Sequence, residues 1–203
     1  MMNRKLFHIG QAVCRMFFRL FYRVKIQGKE NIPHKEGVLL CSNHIHYLDP
    51  PLVGSFLKRE TRFMAKAELF EAPILKSLIP KFGAFPINRG KSDRKAMRTG
   101  LKLLKEGEMV GVFPEGTRSK TGDLKKGLSG VGFFALRSNA AIVPCAVIGP
   151  YKLFKTIHVI YGKPLNMDEL REEKASPEVV TEAIMQGIQD LIDAHFASRH
   201  HNL

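Results

Sequence analysis

The chain has 203 residues, 44% hydrophobic and 25% charged, a composition that describes a globular protein and excludes disordered or fibrous ones. At roughly 100–200 residues per domain, this length predicts a single domain. Lys and Arg total 32 against 19 Asp and Glu; the resulting formal charge of +13 favours nucleic acid, anionic lipid surfaces or phosphorylated substrates over acid-seeking partners.

In chain order, the first segment is MMNRKLFHIGQAVCRMFFRLFYRVK. Arg15 and Arg19 cut its apolar run, and no small-residue cleavage site follows, so it reads neither as a signal peptide nor as a spanning helix. Wound as a helix, it puts Arg4, Lys5, His8, Gln11, Arg15, Arg19 and Arg23 on one side. Leu6, Ile9, Val13, Phe17, Leu20 and Phe21 lie opposite, flanked by Phe7 and Phe18. A basic face without acids against a Phe-rich face predicts a helix lying in a membrane interface, with an ordinary surface helix as the alternative. Residues 1–23 are therefore expected to form an amphipathic membrane-association helix, and 24–203 the main domain.

Residues 24–28 alternate and end in a turn, and EGVLLCSN is a short apolar run bounded by turn residues, so both predict strands. Pro50 and Pro51 suit the first turn of a helix over PLVGSFLKR, with Asp49 near its N-cap. RFMAK predicts a strand, APILKSLIPKF a helix opened by Pro73, and GAFPINRG a strand with a basic exit loop. KSDRKAMRTGLKLLKEG predicts an amphipathic helix capped by Ser92 and stopped by Gly107. EMVGVFPEGTRS reads as a strand with a polar loop and LSGVGFFALRSN as a buried helix; AAIVPCAVIG and TIHVIYGKPL read as two further strands. A last helix starts at Ser176-Pro177-Glu178 with Val180, Ile184, Ile188 and Leu191 facing inward. Strands alternating with helices predict an α/β layered fold with a largely parallel central sheet, whose ligand site forms at the strand exits. Cys14, Cys41 and Cys145 contain no CxxC pair and predict buried free thiols in a reducing compartment.

Three loops carry the chemistry. In NHIHYLD, a carboxylate from Asp49 can fix the tautomer of His44 and leave its other nitrogen as a base. Plain loop polarity is the commoner meaning of such spacing, and His44-x-His46 with Asp49 is also a conceivable zinc set. No G-x-S-x-G elbow is present, so direct attack by a substrate hydroxyl is the simplest chemistry. In FPINRGKSD, Arg89 and Lys91 beside Gly90, ahead of a helix, suit a phosphate or a solvated basic turn. In FPEGTRS, Gly116 permits a tight turn while Glu115, Thr117 and Arg118 mix donors and acceptors; Arg118 could hold a phosphate, with Glu115 binding hydroxyls or positioning Arg118.

NHIHYLD (43–49), FPINRG (85–90), FPEGTRS (113–119) and IVPCAV (142–147) together resemble the four ordered motifs of the glycerolipid acyltransferase family. The pattern spans residues 24–165 and is most similar to that of the family's lysophosphatidate-acylating members. The resemblance implies His44 as general base with Asp49 as its partner, supported by Asn43. It implies phosphate contact by Arg89 beside Gly90, an acceptor site shaped by Glu115, Gly116, Thr117 and Arg118, and support from Pro144. It further implies acyl transfer from acyl-CoA or acyl carrier protein to the free hydroxyl of 1-acylglycerol 3-phosphate, without metal or other cofactor. The expected setting is the cytoplasmic face of an anionic membrane, held peripherally or monotopically. Other lysophospholipids or glycerol 3-phosphate remain alternative acceptors. The rivals of other classes are a zinc hydrolase and a basic membrane- or nucleic-acid-binding module; no nucleic-acid signature is visible.

Overall fold

The computed structural model describes residues 2–88 and 93–200. Helix α1 (Arg4–Phe21) starts at Asn3, whose side chain accepts the Leu6 amide, and leads into strand β1 (Arg23–Gln27). Strand β2 (Val38–Ser42) is followed by helix α2 (Asp49–Ser55), strand β3 (Thr61–Lys66), a single-turn helix α3 (Leu75–Leu78) and strand β4 (Phe85–Ile87). Then come helix α4 (Arg94–Lys105), strand β5 (Met109–Val112), helix α5 (Gly130–Arg137), strands β6 (Ala141–Ile148) and β7 (Thr156–Tyr161), and helices α6 (Asp168–Glu172) and α7 (Pro177–His200).

The seven strands form one sheet in the order β1-β7-β6-β2-β5-β3-β4, parallel throughout except where β6 meets β7. The expected α/β fold with a largely parallel sheet is what forms. β2 lies centrally between β5 and β6, and all five of its residues are buried. Its unbroken VLLCS run needs a cover on both faces, and the pleat divides it accordingly. Leu39 and Cys41 face a core shared with α4, α5 and α7; Val38 and Leu40 face another core shared with α1 and α2. Because β2, β5 and β6 run in parallel, Cys41 aligns with Val112 and Pro144, so loops from β2 and β5 emerge side by side.

Three expectations are corrected. The segment APILKSLIPKF is not one helix: only Leu75–Leu78 is α-helical, and Ile79–Phe82 turns as 3-10 helix around Pro80, which cannot donate into a continuing α-ladder. Helix α4 is capped by Asp93, whose carboxylate accepts the Ala96 amide, while the expected cap Ser92 lies outside the described residues. Helix α1 does not keep Gln11 on its outer, polar side. It packs through Phe7, Gln11 and Phe18, an edge between the basic and apolar sides. Gln11, expected outside, donates to the Gly54 and Leu57 carbonyls where α2 ends, and Arg15 donates to Ser55. Ile9, Val13, Met16, Phe17 and Leu20 are left exposed. Among the described residues no helix is long and apolar enough to cross a membrane.

Candidate active site

The loop leaving β2 is held before it turns. Asn43 donates to the Val147 carbonyl at 2.9 Å and accepts the Val147 amide at 2.7 Å, extending the pairing with β6 by a side chain. Further along, the Asp-Pro-Pro sequence opens α2 with two residues that lack an N–H. Asp49 therefore turns its carboxylate back into the loop. Its Oδ2 accepts the Ile45 and His46 amides, both at 2.7 Å, and meets His44 Nδ1 at 2.8 Å. Its Oδ1 accepts the Tyr151 hydroxyl. Asp49 is 0% exposed, and four donors satisfy a buried carboxylate that would otherwise be costly.

A carboxylate oxygen placed here suits a donor on His44 Nδ1, which leaves Nε2 as the ring nitrogen not engaged by Asp49. The imidazole stacks on Phe113 with centroids 4.1 Å apart, and Phe113 stacks on Phe63 behind it. Backbone clamps complete the placement. The His44 amide donates to Glu115 Oε1 at 2.7 Å, and the His44 carbonyl accepts the Ser119 amide at 2.7 Å. The loop after β2 and the FPEGTRS loop after β5 are thus laced together at the residue whose ring carries the candidate chemistry.

Glu115 is held within this geometry by backbone amides. Its second oxygen accepts the Lys125 amide at 3.2 Å, so both oxygens are taken by backbone and the side chain is buried. It ties the His44 loop to the FPEGTRS loop. Burial pushes its carboxyl up from the usual range, with the two amide contacts opposing the rise. Pro144 stands farther back, within the strand that AAIVPCAVIG predicts. It lies buried in mid-β6 opposite Cys41, three residues and about 10 Å of strand before His44. Its carbonyl accepts the Gly162 amide, and its missing N–H would point to that same edge, where β7 has already ended.

Gly116 has φ of +66° where the backbone reverses, with its amide on the Phe113 carbonyl. Thr117 and Arg118 are exposed, and the Arg118 guanidinium lies over the Tyr47 ring at 4.2 Å. Arg89 and Gly90 lie outside the described residues, as does Lys91. His46 stacks on Tyr151 at 4.2 Å and accepts the Leu48 amide on Nδ1, so it does not converge with His44 on Asp49 as a ligand set. Among the described residues no group of three or more His, Cys, Asp or Glu side chains is placed to hold a metal ion.

Phe113 also lines a cavity of about 700 Å³, walled by Met64, Met97, Leu101, Leu128 and Phe133 and within the roughly 300–1,000 Å³ of small-molecule pockets. Arg94 and Arg98 from α4 add positive charge to its lining. Sequence reasoning missed Tyr151, which is 102 residues from Asp49 and has no motif of its own. It also passed over Phe113, although that residue opens the FPEGTRS stretch.

With a base-type pair, an apolar cavity beside it and a parallel sheet behind both, comparison with known proteins is informative. A family model described as Acyltransferase matches residues 23–148, and the chain belongs to that family. It is 36% identical to the 1-acyl-sn-glycerol-3-phosphate acyltransferase of Bacillus subtilis over 177 residues, 83% of this chain and 87% of that protein. It is 31% identical to the chloroplastic 1-acyl-sn-glycerol-3-phosphate acyltransferase of Arabidopsis thaliana over 72% of this chain and 44% of that one. Its fold is shared with the crystal structure of the 1-acyl-sn-glycerophosphate acyltransferase of Thermotoga maritima. There the TM-score is 0.72 at 23% identity, over 94% of this chain and 84% of the other.

Proposed function

We propose that the protein transfers a fatty acyl group from an acyl thioester of CoA or acyl carrier protein to the free hydroxyl of 1-acylglycerol 3-phosphate, giving phosphatidic acid. The observation that carries this reading is His44 held at 2.8 Å by a fully buried Asp49, in a chain whose relatives bear that activity in their names. His44 Nε2 takes the hydroxyl proton as the oxygen attacks the thioester carbonyl carbon. The C–S bond then breaks, and the proton passes from His44 to the departing sulfur. Asp49 stabilises the imidazolium between these steps. Nothing in this sequence of steps calls for a metal.

Arg118 at the loop rim, with Arg89, is assigned to the acceptor phosphate, since guanidinium matches phosphate geometry. The apolar cavity beside Phe113 is assigned to a fatty acyl chain. Residues 1–23 serve as the membrane-association element of a catalytic domain spanning 24–203. The exposed apolar stripe on α1 supports this, as does the absence of acid before Glu30. Such docking places the protein peripherally on the leaflet where acyl thioesters are found, the cytoplasmic one.

The test is acyl transfer from a labelled long-chain thioester to lysophosphatidate in micelles, with glycerol 3-phosphate as competing acceptor. Wild type should form phosphatidate, and His44→Ala should lose about 3–5 kcal/mol of transition-state stabilisation. Near-normal turnover in that variant would sink the mechanism.

A further inference from the structure

The turn between β6 and β7 has a composition that packing does not explain. The Lys155 amide donates to the Lys152 carbonyl at 3.1 Å, closing a tight turn with Leu153 and Phe154 at its tip. Phe154 has φ of +59°, a left-handed conformation that turns normally give to Gly or Asn and that a bulky ring adopts only under strain. Leu153 is 61% exposed and Phe154 63%. Neither conformational preference nor core packing places these residues there, and strain of this kind points to a use outside the folded monomer.

The turn is joined to α1. The Phe154 amide donates to the Phe21 carbonyl at 2.8 Å, the Arg23 amide to the Lys155 carbonyl at 3.0 Å, and Tyr151 meets Tyr22 edge-on. The exposed stripe of α1 ends at Phe17 and Leu20, less than two turns before that junction. Arg19, Arg23, Lys152 and Lys155, which flank these residues along the chain, are all exposed. No acid occurs before Glu30, nor from Gly149 to Met167. Apolar tips flanked by cations without acids match an anionic bilayer surface: rings and alkyl chains enter the headgroup region while Lys and Arg meet the phosphates.

We propose that the Lys152–Lys155 turn is a second membrane-inserting element, docking Leu153 and Phe154 into the same anionic bilayer as α1. The proposal rests on the membrane reading given above. It assigns the strained turn a role distinct from the helix: two anchors at one end of α1 fix the orientation of the domain on the lipid. Tyr151, in the same connection, bonds Asp49, so the inserted segment borders the His44–Asp49 pair.

The full chain contains no Trp, which makes Phe154→Trp a unique fluorescent reporter. Vesicles of phosphatidylcholine and phosphatidylglycerol should shift the reporter's emission to the blue, and lipids brominated on their acyl chains should quench it. In sedimentation with sucrose-loaded vesicles, Leu153→Ser/Phe154→Ser should bind about tenfold more weakly than wild type. Phe154→Gly should also bind more weakly while its melting temperature is unchanged or higher, because glycine relieves the left-handed strain. That pairing separates docking from misfolding. An unshifted reporter on vesicles that do capture the protein would overturn the proposal and leave the α1 reading intact. Failure of wild type to pellet at all would overturn both. Normal vesicle binding by the turn variants, with loss confined to acyl carrier protein as donor, would assign the turn to a protein partner instead.

Discussion

Asp49 is a buried carboxylate whose oxygens are fully committed within one loop and its neighbour. Its four donors come from three sources: the His44 ring, two loop amides, and a tyrosine arriving from the far side of β6. The Tyr151 hydroxyl is the only one of these that a conservative substitution can remove. Tyr151→Phe should lower kcat about tenfold, from roughly 1.5 kcal/mol for a hydrogen bond to a charged group, with little change in KM. The pH dependence of kcat/KM should move with it, since the carboxylate facing His44 loses a hydrogen bond that stabilises its charged form. A fall confined to KM, with the pH profile unmoved, would reduce Tyr151 to a packing residue.

At the scale of an element, α1 has two apolar sides with opposite fates. Phe18 is 1% exposed against α2 and the sheet, so Phe18→Ala should cost about 3–5 kcal/mol of stability by denaturant unfolding. Leu20 is two residues away and 63% exposed, so Leu20→Ser should stay within about 0.5 kcal/mol while weakening vesicle capture. Equal destabilisation by both would mean that the outer stripe is covered in solution. Helix α4 offers a parallel test, because Leu101 lines the cavity beside Phe113. Leu101→Trp should reduce transfer of long-chain acyl groups at least about tenfold more than transfer of short ones, since filling a preformed cavity shortens what it accepts. Uniform loss for all chain lengths would argue that the acyl group lies elsewhere.

For the whole molecule, acid sensitivity should centre far from the active site. His158 on β7 and His195 on α7 are both buried, with ring centroids 4.2 Å apart, and His158 Nδ1 and His195 Nε2 lack hydrogen-bond partners. Burial, with the neighbouring His195, Arg199 and Lys25 charges, pushes His158 down to about 4, and burial lowers His195 too. An unfolded histidine protonates near pH 6.5, so between about 6.5 and 4 the unfolded chain takes up protons the folded one refuses. Stability should therefore fall as pH drops through that window, and His158→Gln should flatten the slope of melting temperature against pH. An unchanged slope would place the acid sensitivity in other groups.

Much of this was legible in the chain, for reasons of locality. β2 announced itself as an unbroken apolar run because both its faces are covered, and Asp-Pro-Pro marked the start of α2 because those residues act within one turn. The His44–Asp49 pair was readable because five residues of one loop suffice to close it. What the sequence could not settle is whatever depends on a partner distant along the chain. A helical wheel divides α1 into faces, but which edge is buried depends on the Gly54 and Leu57 carbonyls that Gln11 reaches. A motif marks Glu115, but its oxygens were claimed by amides ten and seventy-one residues away. The chain by itself thus determined the α/β pattern, the family motifs and the His44–Asp49 contact, because backbone periodicity and short loops are written locally. Only the tertiary structure decided that Tyr151 bonds Asp49, that Glu115 ties the His44 loop to its own, and that the strained Phe154 sits beside α1, because long-range packing brings those groups together.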